Sequence, residues 1–427
     1  MSPGRAALLR GPLLSPLGVD RAEVHADGFV RIGEDGRIVA AGPWPAVDDD
    51  PAGNSGLARG ALPVYATGRA LILPAFADAH VHLPQIDVRG RYGLGLLAWL
   101  ERNVFPAEAA FADPDYAARV AERFFACLAS SGVGTAAVFG TVHAEATHRA
   151  FEAAAASGLR IVMGKVLMDR GAPAALLEPV AEAIRASLEI AERWEGAAGG
   201  RLHTAVTPRF ALSCTPELLA AAGRAARGAG LRVQTHLAEQ ANEVAAVRGE
   251  FPAAADYLDV YARAGLVREG AVFAHAIHCT DDAYGRLVAA GASVACCPTS
   301  NAFLGSGAFP IARAREAGVT IAVGSDVGAG PQFSPLDVLR HLAYLDPASP
   351  AELLYRGTLA GAEALGLAGV TGRLAAGMAA DLVLLEPPVD AAGDPLERFT
   401  QCVFRQPETR VVATLVEGAI VHGALHG

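Results

Sequence analysis

The feature that most constrains this chain is a repeated alternation of short apolar runs with Ala-rich segments of helical periodicity. Eight apolar runs of strand character follow one another, at 70–83, 132–140, 160–169, 201–210, 231–239, 271–278, 292–300 and 319–327. Eight strands alternating with helices predict a (β/α)8 barrel of the TIM type, within the α/β class. A doubly wound open sheet is the alternative that this periodicity leaves open.

The two flanks of the chain differ from this central part. Both are rich in Val, Gly and Pro and contain short strand-like pieces such as ADLVLLEP. We expect the two chain ends to pair into one small composite β-sandwich domain. The predicted organisation is therefore an N-terminal part of the β-rich domain at 1–69, a barrel at 70–374 and a C-terminal part of the β-rich domain at 375–427.

Composition restricts the cellular location and the partners that we expect for this protein. The six Cys include no C-x-x-C pair, which is typical of a reduced, intracellular protein. Gly and Pro interrupt the opening segment before a signal core or a membrane span could form, so we expect a cytoplasmic protein with no membrane partner. The net charge of −10, spread along the chain, argues against nucleic acid as a partner.

Residues with metal-binding side chains recur where the predicted strands end. His80 and His82 lie one residue apart, so they face the same side of one strand. Other strand ends carry further polar residues, namely His143, Asp169, Arg209, His236 with Glu239, His275 with His278, and Asp326. Because the strand ends of a barrel meet at one mouth, His, His, His and Asp converge there. This set suits zinc or another borderline divalent metal.

A metal at an open barrel mouth predicts hydrolytic chemistry, because it lowers the pKa of a bound water towards about 7. Glu239 can carry protons only if the strand ends near Leu237 and the chain turns Glu239 over the mouth. We expect His275 to hydrogen-bond the reacting oxygen, and Asp326 to ligate metal and orient the nucleophile. A buried core histidine is the alternative for His275, and a turn or helix-capping carboxylate is the alternative for Asp326.

These motifs resemble the amidohydrolase superfamily, whose zinc deaminases use H-x-H, H-x-x-E, His and Asp in this order. The segments LPQ, YGLGLLAWLERNVFPAE, GTVH, GKVLMDRGAP, TPRFALSC, CPTSNAFLGSG and SDVGAG are similar to the guanine deaminase family. The resemblance implies one zinc per chain, with Fe²⁺ as an alternative, held by His80, His82, His236 and Asp326. It also implies proton transfer by Glu239 and a catalytic role for His275 and Asp326.

The implied reaction is hydrolysis of guanine to xanthine and ammonia, a step of purine catabolism in which activated water attacks the amino-bearing ring carbon. The implied substrate contacts are Gln85, Arg209, Phe210, His236, Glu239 and Asp326. Physically, an Arg fork matches the adjacent O6 and N7 acceptors of guanine, Phe offers a stacking face, and Gln both donates and accepts. A surface ion pair for Arg209, barrel core for Phe210 and a loop cap for Gln85 are the structural alternatives.

Some residues depart from the family pattern or stand outside it. Ser325 begins the last motif where Thr is commoner, which puts the shape of that loop in doubt. Lys165 falls inside the third predicted strand, whereas two-metal members of the superfamily carry a modified lysine at the end of the fourth. We therefore expect one metal and a structural role for Lys165. His143, Trp99 and Asp169 are expected to border the pocket without belonging to the catalytic set.

Three other functions compete with this interpretation. The same residues could act on 8-oxoguanine, a pterin or a triazine. The HAE at 143–145 resembles the start of a cytidine-deaminase motif, but the P-C-x-x-C that completes that motif is absent. A barrel without metal could act as a scaffold, although every expected ligand is present here. The expected partner is a small-molecule purine, and a homodimer is expected by family analogy alone.

Overall fold

The computed structural model describes residues 6–44 and 63–425, and two sheets organise them. The parts of the domain prediction that fall on 1–5, 45–62 and 426–427 lie outside the described residues. Among the helices described, none is both long enough and apolar enough to cross a bilayer.

The larger sheet is the predicted barrel. Its strands are parallel and follow chain order, and their inward and outward faces are both buried, as expected for a parallel sheet covered by helices. The barrel strands are β6 (Phe76–His82), β7 (Val133–Phe139), β8 (Arg160–Gly164), β10 (Leu202–Pro208), β11 (Arg232–Leu237), β12 (Ala271–His275), β13 (Ser293–Cys296) and β14 (Thr320–Val323), with a short β9 (Val166–Leu167) that pairs with β10.

The barrel closes between its first strand and the segment that follows its last. The backbone N–H of Asp326 donates to the carbonyl of His80 at 2.8 Å, and the N–H of His82 donates to the carbonyl of Val327 at 2.9 Å. This closure brings two sequence-distant motifs side by side at the carboxyl ends of the strands. The eight-stranded barrel predicted from the sequence is confirmed, and the open-sheet alternative is wrong.

Helices cover the outside of the barrel and its mouth. Two of them begin at side chains that cap a helix, since Asp113 and Thr215 accept hydrogen bonds from first-turn N–H groups and Pro follows each. The helices are α1 (Leu96–Trp99), α2 (Phe105–Ala109), α3 (Pro114–Ser130), α4 (Ala144–Ser157), α5 (Val180–Trp194), α6 (Ala197–Gly200), α7 (Pro216–Gly228), α8 (Ala241–Glu250), α9 (Tyr257–Arg263), α10 (Asp281–Ala289), α11 (Pro298–Leu304), α12 (Ile311–Ala317), α13 (Pro335–Leu345), α14 (Pro350–Gly357), α15 (Leu359–Ala364) and α16 (Pro395–Phe404).

The second sheet is built from both chain ends, as the composite β-domain prediction requires. Its strand order is β17-β16-β15-β5-β1-β2-β3, with β4 paired to β1. Its apolar face forms a separate core that includes Leu9, Ile72 and Leu382. The strands are β1 (Ala7–Gly18), β2 (Arg21–Ile32), β3 (Ile38–Pro43), β4 (Val64–Ala66), β5 (Leu71–Pro74), β15 (Leu382–Glu386), β16 (Arg410–Val416) and β17 (Ala419–Gly423).

Two predicted strands are divided in the structure. The run at 70–83 supplies β5 to the composite sheet and, after Ala75, β6 to the barrel. The run at 160–169 breaks at Lys165, which lies between β8 and β9 instead of inside one strand. The Lys165 side chain is buried and pairs with the carboxylate of Glu178, so its contacts are those of an ion pair.

A buried ion pair joins the barrel to the composite sheet. Arg160 at the start of β8 donates from Nε to Asp381 Oδ2 at 3.1 Å, and both side chains are almost fully buried. Asp381 also accepts a hydrogen bond from the backbone N–H of Glu417 at 2.9 Å. These contacts fix the composite sheet against the bottom of the barrel, opposite the mouth.

Candidate active site

Four side chains converge at the barrel mouth with their donor atoms facing one point. His80 and His82 come from the end of β6, His236 from β11 and Asp326 from the segment after β14. His82 Nε2 lies 3.1 Å from His80 Nε2 and 3.2 Å from His236 Nε2. Asp326 Oδ1 lies 3.2 Å from the Nε2 atoms of both His80 and His82. All four residues are buried or nearly so.

Burial favours the neutral form of the histidines in this cluster. Burial lowers the pKa of His80, lowers that of His82 to about 3 and lowers that of His236 well below its usual value. His236 donates from Nδ1 to the carbonyl of Arg209 at 2.6 Å, which leaves Nε2 unprotonated. Burial opposes the charge of Asp326, but hydrogen bonds with His80 and His82 outweigh it and hold the pKa of Asp326 well below its usual range.

These donor atoms fit a divalent cation. Imidazole nitrogens and carboxylate oxygens bind zinc at about 2.0–2.2 Å, and tetrahedral ligands then lie about 3.3–3.5 Å apart. The observed separations of 3.1–3.2 Å are close to that spacing. Imidazole nitrogens and a carboxylate oxygen that face one point at this spacing form a donor set that a single cation satisfies.

Ser325, which departs from the family pattern, contacts Asp78 through both its side chain and its backbone. Its hydroxyl donates to Asp78 Oδ2 at 2.5 Å, and its backbone N–H donates to Asp78 Oδ1 at 3.0 Å. Burial raises the pKa of Asp78 to about 6, against the effect of these hydrogen bonds. The Asp78 carboxyl thereby ties β6 to the Asp326 segment, and sequence reasoning missed this residue although it stands in the same DAHVH motif.

Glu239 reaches the mouth in the way the sequence predicts. Strand β11 ends at Leu237, and Ala238 adopts a left-handed backbone with φ of 46°, which turns the next residue inward. Glu239 Oε2 lies 3.5 Å from His275 Nε2, and Ser306 donates to Glu239 Oε1 at 3.1 Å. Burial, followed by the charge of Asp326, raises the pKa of Glu239 to about 8. A buried carboxyl of this kind is suited to hold and release a proton near neutral pH.

His275 faces the same space from β12. Its Nδ1 donates to Asn301 Oδ1 at 2.9 Å, while its buried Nε2 has no hydrogen-bond partner among the described residues. Nε2 lies 3.8 Å from Asp326 Oδ2. His275 itself has φ of 70°, a conformation that non-glycine residues seldom adopt. The unpaired nitrogen and the strained backbone together point to a group held ready for a ligand, against the core-histidine alternative.

A narrow pocket above the cluster contains the expected substrate contacts. Gln85, Arg209 and Phe210 all line it, together with His82, His236, Glu239 and Asp326. Three apolar side chains of the segment inserted after β6 cover it, namely Leu96, Trp99 and Leu100. Trp99 therefore borders the pocket as predicted. A π-helical turn at Leu100–Val104 interrupts this covering segment, a feature often found at functional sites.

Arg209 is buried and paired inside the protein instead of forming a surface ion pair. Its Nη1 donates to Glu108 Oε1 at 2.5 Å, and Gln85 Nε2 donates to the same oxygen at 3.4 Å. Glu108 belongs to α2 of the covering segment. Sequence reasoning missed Glu108, because only the folded chain brings position 108 against positions 85 and 209.

Other residues from the strand ends do not reach the pocket. Asp169 accepts from the backbone and side chain of Thr215 at the start of α7. His278 Nε2 contacts the carbonyl of Ser306 at 2.9 Å, and His143 precedes α4 with its Nε2 unpaired among the described residues. The expectation that His143 and Asp169 border the pocket is not met by its lining.

Comparisons with known proteins agree with this geometry. The amidohydrolase family model matches residues 71–421. The probable guanine deaminase of Deinococcus radiodurans is 41% identical over 424 residues, which cover 96% of this chain and 93% of that protein. The solved E. coli guanine deaminase aligns with a TM-score of 0.91 and 33% identity, covering 98% of this chain and 99% of that one.

A third comparison includes a ligand. The guanine deaminase of C. acetobutylicum was solved with guanine bound in its active site. It aligns with a TM-score of 0.88 and 25% identity, covering 98% of this chain and 100% of that one. The family model and the full-length relatives cover both the barrel and the composite sheet. The chain therefore belongs to the amidohydrolase family and, within it, groups with the guanine deaminases.

Proposed function

We propose that this protein hydrolyses guanine to xanthine and ammonia. The observation that carries the proposal is one pocket that combines a four-ligand metal cluster with Arg209, Phe210 and Gln85. A buried arginine fork, an aromatic face and an amide are complementary to an amide-bearing purine, which offers adjacent acceptors and a flat ring. The relatives named as guanine deaminases support the same substrate.

The residues around the ring have separate roles in binding. Arg209 donates to the carbonyl oxygen and the neighbouring ring nitrogen of guanine, and Phe210 packs against the ring plane. Gln85 presents its amide to the ring edge; its Oε1 also accepts from the backbone N–H of Gly328 at 3.3 Å, which limits its rotation. These contacts orient the amino-bearing carbon towards Glu239 and His275.

We assign the metal to His80, His82, His236 and Asp326, with one zinc per chain as the expected ion. A divalent ion held by these four residues would lower the pKa of a water in the pocket towards neutrality. Glu239 accepts a proton from that water and transfers it to a ring nitrogen as oxygen adds to the amino-bearing carbon. The proton of the added hydroxyl then passes through Glu239 to the amino group, and the carbon–nitrogen bond breaks to release ammonia as the new carbonyl of xanthine forms.

His275 and Asp326 complete the proposed chemistry. His275 Nε2 hydrogen-bonds the oxygen that adds to the ring, and Asp326 directs the attacking water by accepting its hydrogen bond. The pocket excludes bulk water because Leu96, Trp99 and Leu100 cover it. Exclusion of water strengthens these polar contacts, since the surrounding dielectric constant is low.

The proposal is tested by following purine absorbance and ammonia release with guanine, 8-oxoguanine, a pterin and an aminated triazine. Guanine is expected to have the highest kcat/KM of the four. If another ring has a higher kcat/KM than guanine, that ring is the substrate and the proposal is wrong. Arg209→Ala is expected to remove measurable saturation with guanine while metal content stays at one ion per chain, and an unchanged rate would refute the role of Arg209.

The remaining expectations stay proposals with their own tests. Metal analysis of purified protein distinguishes zinc from iron. Light scattering tests the homodimer, and cell fractionation tests the cytoplasmic location. Limited proteolysis tests the domain division predicted at 69/70 and 374/375; because β5 (Leu71–Pro74) belongs to the composite sheet, the first boundary would be expected near Ala75 instead.

A further inference from the structure

Glu108 connects the covering segment to the proposed substrate contacts. It lies in α2, and its side chain is 4% exposed, similar to the 3% of Arg209. One carboxylate oxygen, Oε1, accepts from both Arg209 Nη1 and Gln85 Nε2. Phe105, from the same short helix, stacks its ring 5.9 Å from the Arg209 guanidinium carbon. The arginine is therefore held between a counter-ion and an aromatic ring, both supplied by one segment.

This pairing changes what the arginine can bind. A guanidinium has five N–H donors, and Glu108 accepts from Nη1. Donors remain for a ligand in the pocket that Arg209 lines. An unpaired buried arginine would favour an anionic ligand, because burial strengthens the attraction between opposite charges. With Glu108 in contact, the pair has no net charge and favours a neutral carbonyl over an anion.

We propose that Glu108 is a specificity-determining positioning residue. By cancelling the charge of Arg209 and fixing its fork, it makes the pocket select a neutral amide-bearing ring and reject an anionic one. The inference rests on the proposed function in taking a purine as the ligand. It goes further in stating which purines are excluded and which residue excludes them.

The test measures equilibrium binding, so it does not depend on turnover. Isothermal titration calorimetry at pH 7 compares hypoxanthine, a neutral ring, with urate, a monoanion at that pH. Glu108→Gln keeps the shape of the side chain and removes its charge. The expected result is weaker binding of hypoxanthine and tighter binding of urate, which changes the preference between them by about tenfold or more.

Matched variants separate charge from structure. Glu101→Gln removes a charge from the same covering segment at an exposed position, and it should leave the preference as in the parent protein. Glu108→Asp keeps the charge and should retain most of the preference for hypoxanthine. If Glu108→Gln fails to fold, the parent protein keeps the test decisive: it should bind hypoxanthine more tightly than urate, and tighter binding of urate would contradict the inference.

The outcomes distinguish this inference from the proposed function. If Glu108→Gln changes the affinity for both ligands by the same factor, Glu108 has only a structural role and the inference is wrong. The inference is equally wrong if Glu101→Gln shifts the preference as strongly. If the preference shifts as expected while the parent protein releases no ammonia from guanine, the proposed function fails and the selection of neutral rings stands.

Discussion

Glu243 accepts a hydrogen bond from the backbone N–H of Glu239, with 2.8 Å between Oε2 and N. The same oxygen accepts from the N–H of Gln240 at 3.1 Å, and the Tyr257 hydroxyl donates to Oε1 at 2.6 Å. Glu243 is fully buried at the start of α8, and burial, followed by the charge of Glu239, raises its pKa to about 7. The turn that aims Glu239 at the pocket is therefore fixed by a second carboxyl behind it.

Substitution of Glu243 should lower activity without removing the metal. Glu243→Ala leaves two buried N–H groups and one hydroxyl without an acceptor, at a cost of about 1–3 kcal/mol each. We expect kcat for guanine to fall by about tenfold to a hundredfold, because Glu239 loses its fixed position. Tyr257→Phe removes only the third contact and serves as the milder control. Steady-state kinetics and metal analysis are carried out on both variants. An unchanged kcat in Glu243→Ala would show that the turn at Glu239 keeps its conformation without Glu243.

Metal removal should lower both activity and stability. Without a cation, three neutral imidazoles and the Asp326 carboxylate face one another at 3.1–3.2 Å. Dialysis against a chelator is expected to abolish ammonia release and to lower Tm, since an ion that binds only the folded state stabilises it. Added Zn²⁺ should restore both, whereas Mg²⁺, which prefers oxygen ligands, should not.

A variant of one ligand provides the control for that experiment. His82→Ala should bind less than about a tenth of the metal of the parent protein, because one of four ligands is lost. Its Tm should not respond to the chelator. A chelator-induced fall in Tm of equal size in His82→Ala would place the stabilising ion elsewhere.

The buried pair between Arg160 and Asp381 should contribute strongly to stability. Asp381→Asn keeps an acceptor for the Glu417 N–H but removes the nearer counter-ion of the buried Arg160, which retains only the Glu417 carboxylate at 3.5 Å. The expected loss is about 3–5 kcal/mol in the free energy of unfolding, measured by urea denaturation. Glu189→Gln breaks the exposed pair with Arg185 on α5 and should cost about 0–1 kcal/mol. Equal losses of unfolding free energy in the two variants would contradict a strong contribution of the buried Arg160–Asp381 pair.

The contribution of Glu195 should depend on pH in a defined direction. Burial raises its pKa, but hydrogen bonds from His203 and from the N–H and hydroxyl of Thr204 outweigh it and lower the pKa to about 2. A carboxyl with a lowered folded pKa stabilises the protein above its unfolded value of about 4.5, and this stabilisation is lost as the pH falls towards 2.

Thermal melts of the parent protein and Glu195→Gln test this dependence. The difference in Tm should be largest at pH 6–7 and should shrink as the pH falls below about 4.5. Glu192→Gln, which removes an exposed charge from α5 just before Glu195, is the control and should show a small difference at every pH. A difference for Glu195→Gln that is constant with pH would mean that its hydrogen bonds do not depend on its charge.

The barrel was predictable because its evidence is local and repeated. Each strand run is apolar, and N-caps such as Asp113 and Thr215 mark where helices begin. The ligand histidines were predictable for the same reason, since strand ends must meet at one mouth. The division of 70–83 was not predictable, because Leu71–Pro74 and Phe76–His82 are both apolar and continuous in sequence. Only pairing with β15 assigns the first part to the other sheet.

Contacts between distant segments account for what the sequence did not reveal in the site. Glu108, Glu243 and Asp78 hydrogen-bond to the predicted site residues or to the backbone that positions them. In the sequence, each of these carboxyls could equally have been a solvated helix or loop residue. Their roles depend on burial and on partners far along the chain, as in the contact between Glu108 and Arg209. The inward turn of Glu239 was predictable, because the H-x-x-E spacing is incompatible with one straight strand.

The position of β5 has a consequence for how a newly made chain matures. This strand pairs with β15 near the opposite end of the chain, and only Ala75 separates it from the strand that bears His80 and His82. While the ribosome is still synthesising the later barrel strands, Leu71 and Leu73 have no β15 against which to form hydrogen bonds. The anchor of the first two metal ligands is therefore completed only after Leu382–Glu386 has been synthesised, which is later than every strand of the barrel.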